Sequence, residues 1–271
     1  MIQFQIFPGG KRRAVTFSYD DGHPNDARLV GLLNKYGIKA TFHLNGKSFR
    51  DADDETVAAL RARYAGHEIA SHTLNHSWPS RQAAPSLLGE VLEDRRILER
   101  IAGYPVVGFS YPCCSYGADT AATLRAAGIL YARTVSATDD FDFPRDFMLW
   151  DPTCHQRNPK TAADVERFLR NIDSPWERQY LFIWGHSHEF RTEEDWQEIE
   201  RLYQTIGNND KIWYATNAEV YRYLAALHGL QVSVDETVFY NPAAVDVWVE
   251  RDDKDILYIP TGQTVCFPKT E

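Results

Sequence analysis

The sequence predicts an α/β fold: a parallel sheet covered by helices, closed or nearly closed into a barrel, with a small β appendage behind it. Three observations carry this. Short β-like runs alternate with helical stretches from Ala14 to His228, and roughly seven β-then-α units imply a parallel sheet, their number favouring a barrel. No G-x-G-x-x-G or P-loop pattern occurs, which weakens nucleotide-binding readings. After Gly229 the helical spacing stops, and apolar or alternating runs follow one another without helices between them.

Ala14–Ser18 reads as the first strand. Asn25 is expected to cap a helix with Leu29, Leu32 and Leu33 on its apolar face, stopped by Gly37. Ala40–Leu44 is the next strand, and Asp53 caps a helix carrying Val57 and Leu60. Glu68–Ser71 is a short strand. Leu87, Leu88, Val91, Leu92, Leu98 and Ile101 then fit a 3.6-residue period, the clearest helix in the chain. Val106–Phe109, a helix from Ala118 to Ala127 ended by Gly128, and Leu130–Ala132 continue the alternation. Thr161-x-x-Asp164 predicts a capping box for a helix reaching Ile172. Tyr180–Trp184 is apolar without a break, as in a strand buried on both faces. Thr192-x-x-Asp195 opens another helix, Lys211–Ala215 is a late strand, and Asn217 is expected to cap the last helix, Tyr221–Leu227. The runs at Val232–Val234, Val245–Val249 and Ile256–Ile259 form the appendage. The expected division is a barrel over 1–229 and an appendage over 230–271 packed on it, since about 40 residues rarely fold alone.

Composition bounds the function. Of 271 residues, 29 are Lys or Arg and 38 are Asp or Glu, a net charge of −9. That balance argues against nucleic acid as a partner. No apolar run approaches the ~20 residues of a membrane span. The start, Met1–Pro8, lacks the charged and apolar regions of a signal peptide. The expectation is a cytoplasmic protein, or an extracellular or periplasmic one if a leader has been trimmed. Four cysteines do not make a disulfide scaffold, and the adjacent Cys113 and Cys114 are not a C-x-x-C pair, so all are expected as free thiols.

The chemistry gathers at the expected C-terminal ends of strands, where barrel enzymes build their sites. Asp20-Asp21-Gly22 ends the first strand, and two adjacent carboxylates stay ionised cheaply only near a cation or in water. His72 and His76, four apart after the third strand, are expected on one face of a helical turn, close enough to share a metal. One carboxylate and two imidazoles form a catalytic Zn²⁺, Fe²⁺ or Co²⁺ set with open positions. Gly108-Phe109-Ser110-Tyr111-Pro112 falls on the same rim, as does His186 just past the apolar strand, placed as a general acid or base. Tyr19, Tyr111, Trp150 and Trp184 offer amphipathic aromatic faces for a ligand, Trp184, inside the apolar strand, being the one expected in the core.

The ordered motifs Thr16-Phe17-Ser18-Tyr19-Asp20-Asp21-Gly22, Ser71-His72-x-x-x-His76, Phe109-Ser110-Tyr111-Pro112 and the apolar strand ending in His186 resemble those of the polysaccharide deacetylase family, the NodB-homology or carbohydrate esterase family 4 proteins. The resemblance spans residues 14 to 225. It implies a distorted (β/α)7 TIM-like barrel and metal-dependent removal of N- or O-acetyl groups from sugars. Position by position, it implies Asp20 as catalytic base, Asp21, His72 and His76 as ligands of one divalent ion, and His186 as catalytic acid. It also places Trp150 in the groove and Asp151 as the carboxylate supporting the acid, and makes Tyr111, Pro112 and Tyr19 candidates for substrate contact. One departure stands out. Many members carry an arginine in the third motif that holds the base, and here that position is Ser110 or Tyr111.

The reading is therefore a deacetylase acting on an acetylated amino sugar or oligo- or polysaccharide, N-acetyl before O-acetyl, with Zn²⁺ as the ion and Co²⁺ or Fe²⁺ as alternatives. A backbone N–H near Tyr111 is expected to hold the oxyanion. Two alternatives remain: a hydrolase of small amides or cyclic imides on the same fold, and a non-catalytic carbohydrate-binding barrel. A second metal cluster drawn from Cys113, Cys114, Cys154 and His155 is the lesser reading, since buried or surface thiols are the commoner fate. Oligomeric state is not legible.

Overall fold

The structure, a computed structural model, describes residues 2–3, 6–251 and 255–268. In chain order the first elements are β1 (Ile2–Gln3), β2 (Arg13–Asp21), α1 (Asp26–Lys35), β3 (Ala40–Leu44), α2 (Asp54–Arg63), β4 (Glu68–Ser71) and α3 (Ala84–Ala102). Next come β5 (Gly108–Ser110), α4 (Ala118–Ala126), β6 (Tyr131–Arg133), β7 (Cys154–His155), α5 (Thr161–Leu169), β8 (Gln179–His186) and α6 (Glu193–Ile206). The chain closes with β9 (Ile212–Tyr214), α7 (Asn217–His228), β10 (Gln231–Val232), β11 (Val238–Tyr240), β12 (Val247–Arg251), β13 (Asp255–Ile259) and β14 (Thr264–Cys266).

The main sheet runs β6-β5-β4-β3-β2-β8-β7, every pair parallel. Along one edge of β2, β8 pairs with residues 13–20. The other edge takes β9 at 13–15 and then β3 at 17–21. The gap between β6 and β8 is closed by a segment with no strand signal in the sequence. Trp150 bridges in parallel to Arg133, and four residues later β7 joins β8. The result is the distorted α/β barrel expected.

Side-chain alternation decides what each strand offers. On β2, Val15, Phe17 and Tyr19 pack outward against Leu29, Leu33 and Tyr203 of the covering helices. Ala14, Thr16, Ser18 and Asp20 are the other set, three polar side chains at most 2% exposed. β8 repeats this: Leu181 and Ile183 face the helices, while Tyr180 and Phe182 belong to a second core with Trp150 and α7. The lumen is thus apolar at its base and polar towards the carboxyl ends.

The helix starts differ in detail from the expectations. Thr192 and Asp195 form the expected capping box. The last helix begins on Thr216, boxed with Glu219, rather than on an Asn217 cap. Asn25 caps nothing and instead donates to the carbonyls of Ser187 and Phe190. Thr161 makes no capping box, because its hydroxyl donates to the His155 carbonyl.

Behind the barrel, β1, β12 and β13 form one antiparallel sheet and β10, β11 and β14 another. The N-terminal strand therefore pairs with the C-terminal segment (Gln3 opposite Glu250), not with the barrel. Val247, Val249 and Ile259 share the lumen-base core with α7. Buried Glu250 accepts from Arg12 at 2.5 Å and from Arg178.

Buried acids tie the frame together. Glu68 accepts from Thr41, Tyr131 and the Ala218 N–H at the start of α7. The Tyr131 ring crosses Gly108 so closely that a Cβ there would lie 2.0 Å from its hydroxyl. Asp94 accepts from the Gly46 N–H and the Ser71 hydroxyl, and burial pushes its carboxyl up to about 7. The folded state then holds a proton that the unfolded chain has released, so stability falls as pH rises from about 4 to about 7. Asp94→Asn keeps an acceptor for Gly46 and a donor for Ser71 without the charge. It should raise Tm at pH 8 by roughly 5 °C and have little effect at pH 4–5; equal shifts by thermal scan at both pH values would contradict the burial argument.

Candidate active site

β2 ends in two carboxylates that the backbone sends different ways. Asp20 keeps strand geometry and points into the lumen. Asp21 takes φ 78° and Gly22 φ 68°, turning the chain out of the strand. The two histidines reach Asp21 from the loop after β4, and the expected helical turn is absent. Thr73 and His76 both adopt left-handed φ, 61° and 53°. The Asn45 amide donates to the carbonyls of His72 and Thr73 at 2.7 and 2.9 Å and pins this shape.

Asp21 Oδ1 lies 3.6 Å from His72 Nε2 and 3.5 Å from His76 Nε2. These are too long for hydrogen bonds and suit ligands around a shared cation. Asp21 Oδ1 is buried without a hydrogen-bond partner among the described residues. His72 Nδ1 sits 3.0 Å from the Ser110 carbonyl and 2.6 Å from its hydroxyl. An Nδ1 proton donated there leaves Nε2 as a free ligand. Burial lowers the His72 pKa, which keeps the ring neutral as a ligand must be. An unsatisfied carboxylate oxygen and two aimed imidazoles fit a divalent ion. His188 Nδ1 stands 3.6 Å from Asp21 Oδ2 on the other side.

Asp20 has a different partner. The fully buried Arg133, at the end of β6, forms an ion pair with its Oδ2. The Ser110 hydroxyl donates to Oδ1 at 3.0 Å. Burial works to raise the Asp20 carboxyl, but Arg133, helped by His72, His43 and His186, overrides it and holds the group well below the usual carboxylate range. Arg133 also donates to the Ser18 hydroxyl and the Thr134 carbonyl, and its guanidinium lies 4.4 Å over the Trp184 ring. The arginine absent at Ser110 is thus supplied by the neighbouring strand, with Ser110 filling the second oxygen. The sequence held a signal for it: an arginine ending the apolar run Leu130–Ala132, which when buried demands a carboxylate.

His186 ends β8, in register with Asp20. Its Nδ1 is 3.0 Å from Glu189 Oε1, in the turn that follows. Burial alone would lower the His186 pKa; the Glu189 hydrogen bond and the nearby carboxylates override it and raise it. Glu189 is held in turn by His155 Nε2 at 3.2 Å and by the Gln156 amide at 2.8 Å. The support expected of Asp151 therefore falls to Glu189. Asp151 is exposed and accepts from Thr134, next to β6, whereas the closing segment meets the end of β8 through His155.

The expected stacking surfaces are also corrected. Tyr19 is on the helix-facing side of β2, 1% exposed, with its hydroxyl against that of Tyr203. Tyr111 is equally buried and donates to the Met148 carbonyl. Its N–H is committed to the Arg133 carbonyl at 3.0 Å and is not free for an oxyanion. Pro112 is buried in a short turn. Trp150 is in the lumen-base core, 0% exposed. Trp184, expected in the core, is the half-buried aromatic of the site, with its ring 4.6 Å from His155 and 5.5 Å from His186. Trp78, unremarked in the sequence, is 43% exposed two residues after His76, with the Arg81 guanidinium 3.9 Å from its ring. Cys113 and Cys114 are exposed with left-handed φ, Cys154 is buried, and among the described residues no cysteine joins a candidate metal cluster. His155 groups with His186 and Glu189 instead.

Comparison with known proteins agrees with this geometry. Residues 8–132 match the family described as polysaccharide deacetylase. A chitin deacetylase of Pestalotiopsis is 31% identical over 134 residues, 49% of this chain and 44% of that protein, so the match spans less than half of the relative. A family 4 acetyl xylan esterase of Clostridium thermocellum, solved with a cobalt ion, shares the fold at TM-score 0.52 and 20% identity, covering 77% of this chain and 90% of that one. An allantoinase shares it at TM-score 0.61 and 15% identity, covering 80% and 91%. Among the described residues no helix is long and apolar enough to cross a membrane.

Removing one member of a buried ion pair strands the other. In metal-free protein, Arg133→Met should cost about 3–5 kcal/mol in denaturant unfolding, while the double variant Asp20→Leu/Arg133→Met should recover most of it. Additive losses would mean the two side chains are not coupled.

Proposed function

We propose that this chain, whose residues 8–132 match the polysaccharide deacetylase family, is a metal-dependent hydrolase removing acetyl groups, N-acetyl before O-acetyl, from an amino sugar or an oligo- or polysaccharide. The observation that carries this reading is the placement of a metal-type triad, an ionised carboxylate and a carboxylate-supported imidazole around one rim. Asp21, His72 and His76 would hold the ion, with Zn²⁺ our first choice over Co²⁺ or Fe²⁺. Bound there, the ion would polarise the acyl oxygen and acidify a water.

The remaining work falls to this chain's own groups. Asp20, kept ionised by Arg133, accepts the proton of the attacking water. A base held so low is matched to an acidified water rather than a free one. His186, its Nδ1 held by Glu189 and its pKa raised by that contact, gives its proton to the departing nitrogen. That donor supports amide over ester cleavage, because an amine cannot leave without a proton, whereas an alkoxide needs one less. Trp184 and the Trp78–Arg81 platform are the aromatic faces offered to a sugar ring. We also propose 1–229 as the hydrolase barrel and 230–271 as an appendage packed on it, joined by the N-terminal strand.

Zinc-loaded protein should release acetate from N-acetylated chito-oligosaccharides faster than from O-acetylated xylan. Ring opening of a cyclic imide without acetate release from either sugar would overturn the reading. Asp20→Asn should retain zinc while turnover falls by roughly 10²–10⁴; full activity would remove Asp20 as the base. Glu189→Gln takes away the group that raises His186. The basic limb of the kcat/KM profile should then move to lower pH, and an unmoved limb would separate Glu189 from the acid.

A further inference from the structure

We propose that His155, His186 and Glu189 form a second divalent-metal site, weaker than the first, whose filling switches the acid off. His155 Nε2 and His186 Nδ1 lie 3.2 and 3.0 Å from the same Glu189 oxygen, and the three ligand atoms all fall within 4.8 Å of one another. Two imidazoles and one carboxylate suit Zn²⁺, Ni²⁺ or Cu²⁺.

The cluster is built rather than incidental. His155 and His186 stand on paired strands, β7 and β8, and Glu189 on the turn that ends β8. Gln156, 9% exposed, fixes the other Glu189 oxygen with its amide nitrogen, while its own buried Oε1 has no partner among the described residues. The three ligand residues are each only partly buried, which leaves an ion a route in. No residue is shared with the Asp21 site, and the His188 ring lies between the two, 4.7 Å from the His186 ring and with Nδ1 3.6 Å from Asp21 Oδ2.

The geometry also ranks the two sites. Without an ion, both imidazoles donate to Glu189, and the Arg157 N–H, donating to His155 Nδ1 at 3.2 Å, fixes the His155 proton on Nε2. An ion must displace those protons, shift the His155 tautomer and break the Arg157 bond. Asp21 Oδ1 has no such bond to lose. The second site should bind roughly 10–100-fold more weakly, the scale on which outer hydrogen bonds alter metal affinity. With Nδ1 on a metal, His186 no longer exists as an imidazolium with a proton to give. This last consequence rests on the role proposed above for His186; the site itself does not.

Zinc binding by the full chain, followed by calorimetry and by metal analysis after equilibrium dialysis, tests it. The parent should take up two equivalents in two steps. Asp21→Asn should lose the tighter, and His155→Ala and His155→Gln the weaker. Excess zinc should inhibit the parent, and should inhibit either His155 variant far less relative to that variant's own activity at one equivalent. A second equivalent persisting in both His155 variants overturns the proposal. So does a parent that takes up a single equivalent abolished by Asp21→Asn, which leaves the deacetylase reading intact. A single equivalent abolished by the His155 variants but not by Asp21→Asn would instead overturn the primary-site reading and keep this one.

Discussion

The ion pair between Arg133 and Asp20 is the constraint around which the lumen is organised. Two opposite charges sit where water cannot reach them, and such a pair is tolerated only when both ends are fully satisfied. The guanidinium meets the Asp20 carboxylate, the Ser18 hydroxyl, the Thr134 carbonyl and the face of Trp184. Ser110 fills the second oxygen of Asp20 and at the same time sets the tautomer of His72. One contact thus gathers β2, β5, β6 and β8, and its neighbours aim the ligand that the loop after β4 brings in.

A consequence is that the two halves of the rim have separate supports. The Asp21–His72–His76 half leans on Asn45 and Ser110. The His186 half leans on Glu189, in the turn that ends β8, and through it on His155 and Gln156 from the segment closing the barrel. Closure of the sheet and orientation of His186 are therefore linked, through the seven residues from Trp150 to Gln156.

Much of this was legible because it is periodic or local. The strand Tyr180–Trp184, the helix through Leu87, Val91 and Leu98, the Asp53 cap and the Thr192 box follow from spacing and side-chain chemistry alone. Asp20, Asp21, His72, His76 and His186 were visible because each ends a recognisable strand or stands in the loop directly after one. What stayed hidden depends on which face a side chain takes or which strand lies next door. Tyr19 and Asp20 are neighbours in sequence and lie on opposite sides of β2, so an aromatic beside a lumen carboxylate is no evidence of a stacking surface. Trp184 lies on the same side as His186 for the same reason. Glu189 could not be assigned, and Arg133 only as a cation in want of some carboxylate, because their partners are set by a turn and by a strand register that leave no mark in composition.

The arginine that left its usual motif and reappeared one strand over has a further meaning. In this chain the guanidinium reaches Asp20 from β6, and the β5 position beside it is filled by the Ser110 hydroxyl. A pattern that demands arginine after Phe109 would score this chain as inactive, whereas a query for a buried guanidinium within reach of the first carboxylate would not.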